Sequence, residues 1–544
     1  MSSRVGKGNN KKTKVQQSLG TTILETSTFA YVFWMLLTYP VFFHDGFIDI
    51  VRSKLAYYKG VTIFFLVAAV IGLLFYWVDN GVKTPEKPAS FAAWLKGVPK
   101  EDLFAGVFFA AVILSTLVSD YRSEAFWGTE GRRLGAMVML LYLFVYRMCA
   151  KHLRMQNGKY KAALLWAFIA SNAVVILLGD LQFWGIDIFH MYDNLIESQY
   201  AMFISTIGNV NVNAGYLCLI LPVVMAFYFV SEHKIRKAVY AVFLVAGIYE
   251  AYATVSDSWL LGIGAGYLVL FWFACKSHDG MRKFLELCGF FWLANFLMRL
   301  SLVIGEAAGA DAALYLQFRE LGLQNFITSW GMVIATGALL ALCFLVFGLL
   351  GKKQVAFPYL LLRRVVFIAV AVAAVCVLVV FIVANTRGEG EWQGTFALLN
   401  HLQVTDSFGS NRGYVWKRCL TAFWKLPWYQ KIFGYGLNCF GQLMAIDYTQ
   451  EMMTLYNGMY IDAHNEALQF LVTTGIVGAV GYFGILIGAV VKCAKKAADN
   501  PLLIAGIAGI LGYLAQAMVN NPQTFLTPTV FLFLGVLKCI EKKE

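Results

Sequence analysis

Between Tyr460 and Gly484 the chain reads YIDAHNEALQFLVTTGIVGAVGYFG, with His464, Asn465 and Glu466 at the mouth of an apolar helix. A neutral imidazole there is placed to accept a proton, because a helix N-terminus disfavours the cation. Asp462 and Glu466 either orient that imidazole or serve as first-turn caps. The plain alternative is a solvated histidine at a helix start. Arg412 lies in the polar stretch before this helix. Arginine suits phosphate because its planar fork makes bidentate, charge-assisted hydrogen bonds, although a pair with an acidic loop residue is the simpler role. Arg132, Arg133 and Arg299 are further candidates for holding an anion. Asn211 and Asn213 either contact substrate or join helices by hydrogen bonds. Asp257, between two serines at a tight turn, is either a site residue or a cap. For Gly475, Gly478 and Gly481 close helix packing is a sufficient reason.

Those residues sit in a chain built for a membrane. Of its 544 residues 59% are hydrophobic and 14% charged, where a soluble protein carries about 25% charge. Apolar runs of near bilayer-spanning length recur throughout. The expected class is an all-α polytopic membrane protein with about fourteen spans, near 22–42, 60–78, 102–118, 134–150, 161–179, 211–231, 238–254, 258–275, 284–304, 326–349, 364–384, 467–491, 501–519 and 524–539. The start, MSSRVGKGNNKKTKVQQ, reads as a basic polar tail and not as a cleaved leader. The net charge of +12 fits Lys and Arg gathered in short loops on one side and needs no nucleic acid.

With the tail in the cytoplasm, loops 150–161, 232–237, 276–283, 350–363 and 492–500 fall inside and are basic, while 180–210, outside, has no Lys or Arg. The exception is 43–59, outside yet holding Arg52, Lys54 and Lys59. The domains are then a cytoplasmic tail 1–21, spans one to eleven over 22–384, an extracytoplasmic loop domain 385–466, spans twelve to fourteen over 467–539, and a cytoplasmic tail 540–544. Trp416, Phe423, Trp424 and Trp428 form an amphipathic stretch expected to rest at the lipid interface. A short amphipathic piece within 79–101 carries no evident chemistry. Cys419 and Cys439 would pair if their loop faces an oxidising compartment. This topology gathers the unusual polar residues, including Glu130, Asn520 and Asn521, at one membrane face. The chain has no nucleotide-binding loop, no His-Glu-x-x-His and no Cys–His cluster. Asp406, Asp447 and Asp462 are too dispersed to indicate a metal, so neither a metal nor a cofactor is expected.

The chain resembles the O-antigen ligase and polymerase superfamily of bacterial envelope enzymes. AHNEALQFLVTTGIVGAVGYFG is similar to the signature His-Asn-x-x-Leu followed by Gly-x-x-Gly, with His464, Asn465, Leu468, Gly475 and Gly478 in place. SNRGYVWKRCLTAFWKLPWYQKIFGYGLNCF is similar to the preceding loop motif, through Arg412, Trp416, Gly434 and Gly436. TIGNVNVNAGYLCLILP resembles the Gly-Asn-x-Asn segment, LSTLVSDYRSEAFWGTEGRRLG an earlier outer-face segment, and MVNNPQTFLTPTVFLFLG the last spans. One departure stands out. Members often carry Thr-x-Ser-Arg where this chain has Thr254, Val255, Ser256 and Asp257, which removes one expected anion contact.

The resemblance implies transfer of a glycan from an undecaprenyl diphosphate carrier to an acceptor hydroxyl on a glycan, lipid or protein, at the outer face of the bacterial cytoplasmic membrane. It implies an inverting, metal-independent reaction, with Arg412 and Arg132 or Arg133 holding the diphosphate and His464 as base. Polysaccharide-assembly proteins would be partners. The runner-up is a polymerase of lipid-linked repeat units; a polysaccharide or lipid transporter, the lesser alternative, would need paired charges or broken helices at mid-membrane, of which this chain shows almost none.

Overall fold

The computed structural model describes residues 18–81, 90, 93, 96–129, 131–155, 158–353 and 356–540. Most of the basic tail, the amphipathic piece before residue 96, Glu130 and residues 541–544 lie outside the described residues.

The fold is all-α and polytopic, with helices over all of the expected spans: α1 Leu19–Thr38, α2 Ile50–Asn80, α3 Lys100–Val118, α4 Ala136–His152, α5 Gly158–Phe183, α6 Val210–Val230, α7 Lys234–Ala253, α8 Ser258–Ala274, α9 His278–Ala308, α10 Trp330–Lys352, α11 Tyr359–Ala384, α12 Glu466–Lys496, α13 Leu503–Ala517 and α14 Leu526–Ile540. Among the described residues, eight helices are long and apolar enough to cross a membrane: α2, α3, α5, α6, α9, α10, α11 and α12. The helices α8, α13 and α14 are apolar but shorter. By this measure eight of the fourteen helices qualify as membrane spans.

The hub is α6, whose apolar window is 94% buried, with α7, α8, α13 and α14 packed around it. It is apolar on every side because it meets protein on every side. Its neighbours approach closely at small residues: a Cβ on Gly262 would lie 2.4 Å from Cys218 Sγ, and one on Gly512 2.2 Å from the Cys218 carbonyl oxygen. α12 packs along α3, and α4 along α14. At the other extreme, the apolar window of α11 has none of its residues buried and that of α10 only 6%. Their side chains suit a lipid surround.

The basic loop 43–59 is largely helix, since α2 begins at Ile50. Lys54 is fully buried and donates to the carbonyls of Tyr39 and Pro40 at 3.0 and 2.9 Å. It thus serves the carbonyl end of α1, which explains the exception to the charge pattern.

Between α11 and α12 the segment 385–466 is structured, with helices Phe408–Lys425, Trp428–Phe433 and Phe440–Tyr456. The first begins with three left-handed residues, Gly409, Ser410 and Asn411. The segment has its own apolar centre of Tyr414, Val415, Cys419, Phe423, Phe440 and Met444. Cys419 and Cys439 are buried free thiols and not a disulfide. Trp424 and Trp428 are exposed, at 69% and 70%, whereas Phe423 is buried and Trp416 points inward. Only part of the expected interfacial stripe therefore faces outward.

Candidate functional site

The site forms where the 385–466 segment meets the start of α12. Gly475 breaks α12, with φ 69° and ψ −178°, a conformation that is essentially glycine's alone. The break frees the carbonyls of Val472 and Thr473 from the helix. Tyr435 and Gly436 donate their amides to these carbonyls at 2.9 and 3.1 Å. A Cβ on Gly475 would lie 2.2 Å from the Ile432 carbonyl oxygen. Gly475 is therefore a docking point for the Gly434–Gly436 turn, a role that packing within a continuous helix does not describe. Gly481 does serve helix packing, lying against the backbone of Phe108 in α3.

The turn continues into Asn438, whose Oδ1 accepts the Leu134 amide at 3.0 Å and whose Nδ2 donates to Thr129 Oγ1. This anchors the loop carrying Arg132. On the other side, Trp416 Nε1 donates to the Ala463 carbonyl at 3.0 Å, and the Ala463 amide donates to Gln469 Oε1 at 2.9 Å. Asn465 caps α12, its Oδ1 accepting the Leu468 amide at 3.0 Å while its Nδ2 donates to the Met518 carbonyl at 2.7 Å. His464, just before this cap, has φ 47°, a left-handed conformation uncommon outside glycine and asparagine.

These supports converge on a tight polar cluster. Arg132 Nε donates to Asp462 Oδ2 at 2.8 Å, and its Nη1 donates to Gln523 Oε1 at 2.9 Å. Asp462 Oδ1 accepts from Asn521 Nδ2 and lies 3.3 Å from His464 Nε2. Asn521 Nδ2 is 3.4 Å from His464 Nδ1. The Asp462 side chain is 4% exposed and that of His464 35%. A cavity of about 20 Å³, room for one water, is lined by Arg132, Asn438, Asp462, Gln469 and Asn521, among others.

Burial alone raises the pKa of Asp462, but Arg132 and His464 outweigh it and hold the carboxyl below its ordinary range. Burial pulls the His464 pKa below the ordinary histidine value; Asp462 opposes this, and Arg132 and Arg412 reinforce it. Arg412 shares the field of Asp462 and His464. Among the described residues its guanidinium has no hydrogen bond or ion pair.

Asn211 joins the site indirectly. Its Oδ1 accepts from Ser256 Oγ at 2.7 Å, Ser256 meets Ser258 at 3.0 Å, and Asn520 Nδ2 reaches Ser258 Oγ at 3.4 Å. Asn520 then leads by sequence to Asn521. The other candidates are placed elsewhere. Glu466 is fully buried and accepts from Tyr513 and Tyr482, at 2.7 and 3.1 Å. Asn213 is buried against Glu250. The Arg299 guanidinium lies 5.7 Å from the ring centre of Trp330. Asp257 accepts from Gln324 at 3.0 Å and makes no cap hydrogen bond. Arg133 has φ 53°, and no contact described above brings it to His464. Asn438 and Gln523 carry no signal of their own in the sequence, because they act through partners far along the chain, and Gln469, which holds the Ala463 amide six residues back, occupies no fixed position of a motif.

Residues 325–483 match the model of the O-antigen ligase family. An O-antigen ligase domain is present. It spans α10, α11, the 385–466 segment and the first half of α12, and so contains Arg412, Asp462 and His464. Arg132, Asn521 and Gln523 reach that domain from outside its matched limits. Comparison with the curated proteins finds no match.

Proposed function

We propose that this protein transfers a glycan from an undecaprenyl diphosphate carrier to an acceptor hydroxyl, with inversion, at the outer face of the bacterial cytoplasmic membrane, and that the remaining helices join the eight long apolar ones to make a membrane region of α1 to α14. The observation that carries this reading is the His464–Asp462–Arg132 cluster beside an uncommitted Arg412. Asp462 accepts the Nε2 proton of His464, which makes Nδ1 the basic nitrogen. The long Nδ1 contact to Asn521 gives way to the acceptor hydroxyl. His464 takes the hydroxyl proton as the oxygen attacks the anomeric carbon. The bond from that carbon to the diphosphate breaks on the opposite side, and Arg412, with the outer nitrogen of Arg132, holds the growing negative charge. These arginines provide the charge stabilisation, so no metal is required. Asp257, in place of the usual arginine, leaves the anion to these two.

The test uses purified protein in vesicles with radiolabelled undecaprenyl diphosphate oligosaccharide and native membrane extract as acceptor. Wild type moves label into a larger product and releases carrier diphosphate. His464→Ala and Arg412→Ala each reduce the rate at least a hundredfold while the folded yield is retained. A single product band supports ligation; a ladder supports polymerisation by the same chemistry. Transfer indifferent to both substitutions overturns the assignment.

A further inference from the structure

Away from the His464 cluster, three helices bring together buried polar groups whose hydrogen bonding is incomplete among the described residues. Glu250, in the last turn of α7, is fully buried. Asp180 lies in the last turn of α5. Gly179 lets the two helices meet, since a Cβ there would lie 2.4 Å from Glu250 Oε1. The Glu250 carboxyl thus rests against the backbone beside Asp180. From α6, Asn213 is also fully buried and donates its Nδ2 to Glu250 Oε1 at 2.7 Å. Its amide is therefore aimed into the same space. Three buried oxygens remain without a hydrogen-bond partner among the described residues: Asp180 Oδ1, Asn213 Oδ1 and Glu250 Oε2. The charged group acting on Asp180 is Glu250, and among the described residues no lysine, arginine or histidine is found acting on either carboxyl.

We propose that Asp180, Asn213 and Glu250 hold a small monovalent cation, with sodium the best fit. Two adjacent carboxyls in an apolar bundle either bind protons or share a cation, and among the described residues no basic side chain is found to balance them. The available donors are all oxygen, which suits a hard cation. Calcium gathers six to eight oxygens, more than converge here. Both acids sit at helix C-termini, whose partial negative charge also favours a cation. The ion ties α5 and α7 to the start of α6. Because α6 also carries Asn211, it steadies the polar chain leading through Ser256 and Ser258 to Asn520. The site is independent of the glycan-transfer reading.

The experiment uses the full chain in detergent, with sodium chloride exchanged for choline chloride at constant pH and ionic strength. Binding of radioactive sodium is measured by equilibrium dialysis, and unfolding by a temperature scan. Wild type is expected to bind about one ion saturably and to gain thermal stability as sodium replaces choline. Glu250→Gln and, at the less buried position, Asp180→Asn are expected to weaken binding at least tenfold and to lose the sodium-dependent gain. Asp180→Asn keeps the test open if Glu250→Gln does not fold. The absence of saturable binding to folded wild type overturns the proposal, as does binding that survives both substitutions. Stability that follows pH but ignores sodium overturns it too, and assigns the charge balance to protons.

Discussion

His464 draws its character from three charged neighbours that act in opposite directions. Burial lowers its pKa, Arg132 and Arg412 lower it further, and Asp462 raises it. The imidazole therefore keeps its neutral, proton-accepting form to lower pH than an ordinary histidine does. For a base, activity is lost as pH falls through the pKa. The acid limb of the transfer rate in wild type is expected below the ordinary histidine value. Arg412→Gln removes a positive charge, so the limb of its residual activity moves to higher pH. Asp462→Asn removes the opposing charge and moves the limb to lower pH, with a loss of stability of about 2 kcal/mol or more, because Arg132 loses its buried partner. pH–rate profiles of the three proteins decide this. Limbs that coincide would mean that His464 is not the titrating base.

At the scale of elements, the break in α12 couples two stretches far apart in sequence. The carbonyls released at Gly475 are those that the Gly434–Gly436 turn uses, and that turn in turn positions Asn438 and the Arg132 loop. Gly475→Ala forces a side chain into a left-handed backbone and against the Ile432 carbonyl. Backbone strain of this kind costs about 1–3 kcal/mol, and the overlap adds to it. A marked fall in thermal midpoint is expected, together with loss of transfer. Gly488→Ala, in the same helix, meets nothing closer than 3.4 Å and is expected to hold or slightly raise the midpoint, as alanine favours helix. Equal effects from both substitutions would refute a special role for the break.

Across the whole molecule, the Arg132 loop, the start of α12 and the residues after α13 meet at one end of the bundle. The basic loops 232–237, 276–283 and 492–500 join the opposite helix ends. The proposed orientation places the His464 end outside. With Cys376 replaced by serine, a cysteine at the exposed position Thr449 is expected to react with a membrane-impermeant maleimide in intact cells. A cysteine at the exposed Lys495 is expected to react only after permeabilisation. The reverse pattern would place the cluster in the cytoplasm and defeat transfer at the outer face.

Helix positions were legible in the sequence because a membrane span is encoded locally, in some twenty consecutive apolar residues. The O-antigen ligase resemblance was legible, and with it His464 and Arg412 as candidates, because these stand in short motifs. The span count was not settled in the same way. A helix such as α7, with Lys234, Arg236, Lys237 and Glu250, is held by burial among other helices as much as by its own hydropathy. The tertiary structure alone separated near neighbours in sequence: His464 and Asp462 enter one cluster, while Glu466 turns into a buried tyrosine pair. It also brought Arg132 to Asp462 and to Gln523 across more than half the chain, with Asn521 closing on Asp462 from 59 residues away. The reason is physical. Hydropathy is a property of consecutive residues, whereas a partly buried ion pair is satisfied only by partners that folding delivers from distant parts of the chain.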